Sequence, residues 1–381
     1  MRTSSLLLAA ILLTTAASAA STKLTIHNPL SSSRTAARVQ LPAALLPRGM
    51  TGEWVAVAEG QIAPVQRVKG GALTALDLPA QAQIPLVLRP RLGSDPSPTR
   101  LARATIPIKD GDAWREVQHF VVPSTHAIHD PLFPIEGAGW ESDRVGYRIY
   151  LDKRNANDIF GKKLPAPVLH RIGQGGPSYH DEGEWGMDIW HVGDSLGAGG
   201  VGVLRDGMAT QLGDMKRMTA TVAASGPVLA DLRVSCEGWL LDGKMKSLVT
   251  DFTIGAGSRL SLNTVSASPG TPLVAGFGKY PNTVFMQSRK GVWGYIASWG
   301  RQSENGKDDV GVALFYPVVE VERTGDDGRS TYVVFKNPAK ARYAFAAAWA
   351  RETGGLPDEA SFRAYVERTA AELAHPVFVT K

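Results

Sequence analysis

One cysteine, Cys236, occurs in 381 residues, so no internal disulfide can form. Core size alone must then stabilise the fold, which suits a bacterial periplasm, and Cys236 is read as a buried structural thiol. After the first twenty residues no apolar run approaches the ~20 residues that a spanning helix needs. Blocks of like charge are missing as well: 41 Lys and Arg are interspersed with 36 Asp and Glu, for a formal net charge of +5. Such a surface argues against a nucleic-acid partner. There is no internal repeat and no low-complexity linker.

What is present begins with MRTSSLLLAAILLTTAASAASTK. Arg2, the apolar run from Leu6 to Leu13 and the small residues Ala17-Ser18-Ala19 have the three parts of a secretory signal peptide over residues 1–19. The mature protein is expected in the periplasm or outside the cell.

Residues 20–120 hold short β-rich runs cut by Pro and Gly, among them KLTIHNP, ALTALDLP and IPLVLRP. Their length and spacing predict an N-terminal antiparallel β-sandwich. The segment 121–139, VVPSTHAIHDPLFPIEGAG, reads as a linker with His126 and His129 in turns. Longer strands follow over 140–340, as in VGYRIYLD, where Val145, Tyr147, Ile149 and Leu151 alternate with Gly146, Arg148, Tyr150 and Asp152. They predict a large antiparallel, supersandwich-like domain. PAKARYAFAAAWARE and PDEASFRAYVERTAAELAHP have alanine-rich helical spacing, so residues 341–381 are expected to close the chain as a short helical hairpin. The expected fold class is mainly β.

The chemistry concentrates in SYHDEGEWGMDIWHVGDSLGAGGVGV, residues 178–203. Its tail spells G-x-G-x-x-G from Gly197 to Gly202, but a short apolar strand follows where a dinucleotide site needs a helix. A glycine bend between strands is the better account. His180, Glu182, Glu184, Asp188 and His191 have ligand chemistry without a zinc-type spacing such as H-E-x-x-H. A divalent metal therefore stays open, and no cofactor is assigned. Acid/base work fits the same residues, because histidine titrates near neutrality and a carboxylate can set its tautomer. For any single acid here, a solvated loop position is the plainer alternative.

A second stretch, WESDRVGYRIYLDKRNANDIFGKK, gathers Arg144, Arg148, Tyr150, Asp152 and Arg154. Arg148, Tyr150 and Asp152 share one strand face, which is costly to bury without partners. An exposed face with a satisfied Arg–Asp pair is the bland alternative. Arginine suits a carboxylate, and Trp140, Trp185 and Trp190 offer flat surfaces for sugar rings. Together they suggest an acidic oligosaccharide or polysaccharide. His170, beside Arg171, either faces the same cleft or is a satisfied strand histidine. Trp293, Tyr295 and Trp299 alternate in the manner of core residues.

These two long motifs resemble the secreted bacterial family named domain of unknown function 4861, over most of the mature chain. The resemblance implies a setting in bacterial breakdown of plant and algal polysaccharides, often ones containing uronic acids. At the level of fold the long antiparallel segments look like the β-supersandwich of galactose mutarotases, a likeness that fixes no function.

The expectation is thus a periplasmic carbohydrate-active enzyme acting on uronic-acid-containing oligo- or polysaccharides. For elimination, His180 would be the base, Arg148 would hold the carboxylate and Tyr150 would be the acid, with Asp152 or Asp188 orienting them. For hydrolysis, Glu184 and Asp188 would be the carboxylate pair. Arg144, Asp152, Arg154, Trp185, Trp190 and His170 would, with Arg148, contact substrate. The alternatives are a non-catalytic carbohydrate-binding protein and a mutarotase-like sugar epimerase. The central geometric expectation is that the Arg148 face opens onto the same cleft as His180.

Overall fold

The computed structural model describes residues 21–381; the expected signal peptide, 1–19, lies outside them. The fold is mainly β, built from antiparallel sheets, and its one α-helix among the described residues is Glu359–Ala374.

The first sheet has seven strands, ordered Arg34–Pro42, Gly71–Leu78, Gln61–Val68, Trp54–Ala58, Gln83–Pro90, Thr22–His27 and Phe378–Thr380. Its third member, Gln61–Val68, pairs with Trp54–Ala58 through its first half and with Gly71–Leu78 through its last three residues, so the sheet turns a corner there. Leu24, Ile26, Val39, Leu41, Leu86 and Leu88 fill the core that this corner encloses. The last strand brings the end of the chain back onto the first strand, Thr25 opposite Thr380.

Past Pro90 the chain enters a larger assembly. Nine strands, from His119–Val121 at one edge to Thr283–Ser288 at the other, form the broadest sheet. Two five-stranded sheets lie against it. One runs Gly186–Asp188, Asn157–Lys162, Val145–Tyr150, Gly137–Ser142 and Ala102–Thr105; the other is centred on Ala198–Arg205, Leu273–Gly278 and Ser330–Phe335. All three bury their inner faces in one core, where Trp140 stacks on Phe252 at 4.3 Å and Tyr147 meets Phe345 at 4.6 Å. Burial on this scale contributes roughly 2–3 kcal/mol for each large side chain. The layout matches the expected sandwich architecture.

The helical hairpin does not form. The first of its two arms is a strand, Lys340–Trp349, in the interior of the nine-stranded sheet between Leu260–Ala267 and Asp309–Pro317. The alanines have another purpose. Tyr343, Phe345, Ala347 and Trp349 face the shared core, while Ala344, Ala346 and Ala348 give the outer face a shallow surface on which Phe362 and Val366 of the helix pack. A strand covered on both sides reads as a continuous apolar run, so alternation is lost and helical spacing is mimicked. The second arm is the helix, opened by a capping box between Asp358 and Ser361.

The glycine run is the bend that the sequence suggests. Ala198–Arg205 is a strand with a bulge between Ala198 and Gly200, and no helix follows. Gly199 sits at φ +67°, and a Cβ there would lie 2.1 Å from the Phe345 ring. Cys236 is fully buried, its thiol directed at the Asn155 Oδ1 at 3.2 Å, and burial pushes its pKa far up.

Candidate functional site

The site grows from one hairpin. Val145–Tyr150 pairs with Asn157–Lys162 in a register that sets Arg148 opposite Asp158. The next strand over, Gly186–Asp188, places Asp188 opposite Phe160. Tyr147 and Ile149 face the shared core, which turns Arg148 and Tyr150 to the other side of the sheet, as period-two alternation requires.

Arg148 is 1 % exposed, and every donor of its guanidinium is engaged. The two Nη2 hydrogens are shared among three acceptors, Asp158 Oδ2 at 2.6 Å, Asp188 Oδ2 at 2.8 Å and the Tyr150 hydroxyl at 2.7 Å. Nη1 donates to the Ile135 carbonyl and the Tyr179 hydroxyl, both at 3.2 Å, and Nε to Asp158 Oδ2 at 3.2 Å. The Tyr150 hydroxyl donates in turn to Asp158 Oδ2 at 2.6 Å. Tyr150, Phe160 and Tyr179 place their rings 4.5–5.4 Å from the guanidinium carbon. A charge so enclosed is tolerable only because its partners are complete.

This corrects two expected roles. Arg148 cannot hold a substrate carboxylate, because two protein carboxylates already occupy it. Tyr150 cannot reach a leaving group, and burial followed by the Asp158 charge raises its pKa far above the usual phenol range.

The network has an open edge. His180 is 45 % exposed, and its ring lies tilted against that of Tyr179, 4.3 Å between centroids. Its Nδ1 lies 3.6 Å from Asp188 Oδ2, the oxygen that Arg148 binds, and 3.4 Å from Glu304 Oε2. Arg148 and His180 thus approach each other through one shared oxygen, but Arg148, Tyr150 and Asp152 are buried and do not present the open cleft face that was expected. Glu304 is 32 % exposed and comes from the turn after the strand Trp293–Arg301; its N–H donates to the Ile189 carbonyl at 3.0 Å. His180, Asp188 and Glu304 bring their ligand atoms within 4.8 Å of one another.

Charges at this edge do not cancel locally. Burial, and then the neighbouring Asp158, push the Asp188 carboxyl well above the usual carboxylate range, against the pull of Arg148. Glu136 behaves oppositely: burial works against its charge, yet Arg148 and Arg154 together hold its pKa down. Tyr280 flanks the edge, T-shaped against Trp190 at 4.9 Å, with its hydroxyl donating to the His191 carbonyl. Burial and the Asp158 charge raise its pKa.

The other expected residues fall in different places. Asp152 pairs with Arg154, not with His180 or Arg148, and Arg154 bridges on to Glu136 at 2.8 Å while lying 3.5 Å over the Tyr150 ring. Arg154 thus supports the network from behind. Trp190 is 1 % exposed and is no stacking surface; Trp185 is half-buried against Phe160 at 6.2 Å. Trp140 is fully buried in the core. Glu184 is exposed on the turn, and Glu182 pairs with Lys163 and Arg351. Arg144 lies beside Asp143 and lines a cavity of about 840 Å³ between the first sheet and the helix, away from His180. His170 is half-buried near Arg103, and burial first, then that arginine, lowers its pKa to about 4. His126 pairs with Asp130 and His129 with Glu136 in the turn segment.

The sequence did not point to Asp158, Glu136, Tyr179, Tyr280 or Glu304. Asp158 had a signal: an arginine inside an apolar strand needs an anion on the strand beside it. Glu304 had none, because 124 positions separate it from His180.

Fold and site together define a mainly β sandwich protein with a buried arginine–carboxylate network and a histidine at its open edge. The profile of the family described as domain of unknown function (DUF4861) matches residues 26–379, and the chain belongs to that family. No curated protein matches the sequence. Two solved structures from Enterococcus faecalis are similar in fold. One is a protein in glycosyl hydrolase family 38, at 9 % identity and a TM-score of 0.46, covering 94 % of this chain and 47 % of that one. The other is an alpha-mannosidase from strain V583, at 10 % identity and a TM-score of 0.43, covering 94 % and 46 %. The chain spans about half the length of either.

Proposed function

We propose that the protein is a secreted carbohydrate-active enzyme that acts on uronic-acid-containing oligo- or polysaccharides, with its reaction centre at His180, Asp188 and Glu304. One observation carries this: a fully buried ionic network, costly to maintain, ends in an exposed imidazole and carboxylate. A desolvated carboxyl held off its ordinary pKa, as Asp188 is, beside groups open to solvent is the mark of a candidate site of chemistry. Elimination is the favoured reaction. It needs a positive charge against the uronate carboxylate, a base for the neighbouring proton and an acid for the departing oxygen. Of the three side chains expected to supply these, His180 alone keeps access to solvent.

The test is a panel of acidic oligosaccharides incubated with the purified protein. Elimination creates an absorbing carbon–carbon double bond; hydrolysis creates reducing ends without one; binding alone creates neither. We expect the first, and His180→Ala should lower turnover about 10²–10⁴-fold. Full activity in that variant would remove His180 from the centre, and no product from any member of the panel would defeat the proposal.

A further inference from the structure

We propose that His180, Asp188 and Glu304 bind a divalent transition-metal ion. The inference rests on the reaction centre proposed above and recasts His180 there as a ligand instead of the base.

Spacing is the first ground. A tetrahedral ion with ligands at about 2.0–2.2 Å sets its donor atoms about 3.3–3.6 Å apart along each edge. His180 Nδ1 lies 3.4 Å from Glu304 Oε2 and 3.6 Å from Asp188 Oδ2. Those separations are long for good hydrogen bonds and right for two edges of a coordination tetrahedron. Three protein donors leave one position for water or substrate, the pattern of catalytic sites.

Charge is the second ground, and it is independent of spacing. Asp158 and Asp188 are both fully buried and share the single guanidinium of Arg148, with Glu304 converging on the same edge. Glu136 lies 2.8 Å from Arg154 and 3.8 Å from Arg148, and Arg154 is also paired with Asp152. Asp152, Asp158, Asp188, Glu136 and Glu304 thus share two permanent cations, an imbalance that low-dielectric surroundings make expensive. A cation on the open side reduces it.

The donors are also held as metal ligands are. Asp188 Oδ2 accepts from Arg148 and Oδ1 accepts from the Trp190 N–H at 3.3 Å. Glu304 is tied through its backbone to Ile189, and the His180 ring lies tilted against Tyr179. For Asp188, partners behind the ligand fix its orientation before any ion arrives. One imidazole nitrogen and two carboxylate oxygens suit zinc or manganese; calcium prefers oxygen alone. The ion would supply what Arg148 cannot, an accessible positive charge to meet an acidic sugar.

The experiment uses the full mature chain, stripped with chelator, dialysed, and titrated calorimetrically with zinc and separately with manganese. One ion per chain is expected. His180→Ala and Glu304→Gln should each weaken binding at least about 10-fold, while His119→Ala, on a distant edge strand, should not. Absence of saturable one-to-one binding, or equal binding in all four proteins, would overturn the proposal. Circular dichroism establishes that each variant is folded. The two proposals fail separately: a protein that binds the ion but converts no sugar keeps the metal and loses the function. One that converts sugar unchanged in excess chelator, yet needs His180, keeps the function and loses the metal.

Discussion

Two buried ion sites lie on the same strand, Asn157–Lys162, and they are built to opposite ends. At one end Lys162 is enclosed with Glu141. Its ammonium donates to that carboxylate and to the carbonyls of Ser142 and Ala166, so all three protons are used. Glu141 completes its own shell with the N–H groups of Val168 and Leu169, both at 2.8 Å. One cation meets one anion, and nothing is left over. At the other end Asp158 shares Arg148 with Asp188, and the cluster opens through His180 to solvent. The closed site ties the segment after Lys162 to the sheet; the open one keeps an unbalanced charge at a surface. A buried ion pair with complete partners is an anchor, whereas one with surplus anions and an exposed edge is a place to bind or react.

Removing the central cation of each site tests that contrast most strongly. Arg148→Met strands two buried carboxylates, Lys162→Met only one. Breaking a buried pair by deleting one partner costs about 3–5 kcal/mol. Lys162→Met should fall in that range by urea denaturation, and Arg148→Met should exceed it or fail to yield folded protein. A milder loss for Arg148→Met than for Lys162→Met would show that the open site is no more strained than the closed one.

The anions separate the sites in the other direction. Glu141→Gln removes the one partner that balances Lys162 and should destabilise by several kcal/mol, on the order of the same 3–5. Asp188→Asn removes a charge that its surroundings already disfavour, since burial and Asp158 raise its pKa. A raised pKa means that the charged form opposes folding at neutral pH. The variant, compared with wild type after chelation, should stay within about 1 kcal/mol or gain stability, although it is as buried as any residue in the core. A loss of several kcal/mol would mean that Asp188 is structural.

Much of this was legible in the chain. VGYRIYLD alternates, so the face carrying Arg148 and Tyr150 could be read. Burial was not legible: the same alternation fits a face lining a cleft and a face sealed under Tyr179 and Phe160. Arg148 was therefore given to substrate when it belongs to Asp158 and Asp188. Glu304 was hidden for a topological reason, since a turn on another sheet supplies it and a backbone contact with Ile189 brings it near. The Lys340–Trp349 strand was read as helix because burial on both faces erases the period of two. Local pattern reports one neighbour at a time, and the site is made of three segments.

The smallest expected effect concerns His170, next in sequence to the Leu169 N–H that Glu141 holds. Its ring is half-buried, its Nδ1 has no hydrogen-bond partner among the described residues, and burial followed by Arg103 lowers its pKa to about 4. In the unfolded chain a histidine titrates near 6.5. Between roughly pH 6.5 and 4 the unfolded state therefore binds a proton that the folded state refuses, and stability falls as pH drops through that window. Part of the ring is open to water, so the slope should be shallow. His170→Gln should flatten it, seen as a smaller difference in urea midpoint between pH 4.5 and pH 7. The same histidine also reports on the closed site. If Glu141 and Lys162 keep the 163–170 segment against the sheet, Lys162→Met should loosen it, hydrate the ring and raise the His170 pKa toward 6.5 in an NMR titration. An unchanged His170 pKa in a folded Lys162→Met protein would show that the segment is held by the apolar contacts of Val168 and Leu169 alone, and that the closed ion pair anchors nothing.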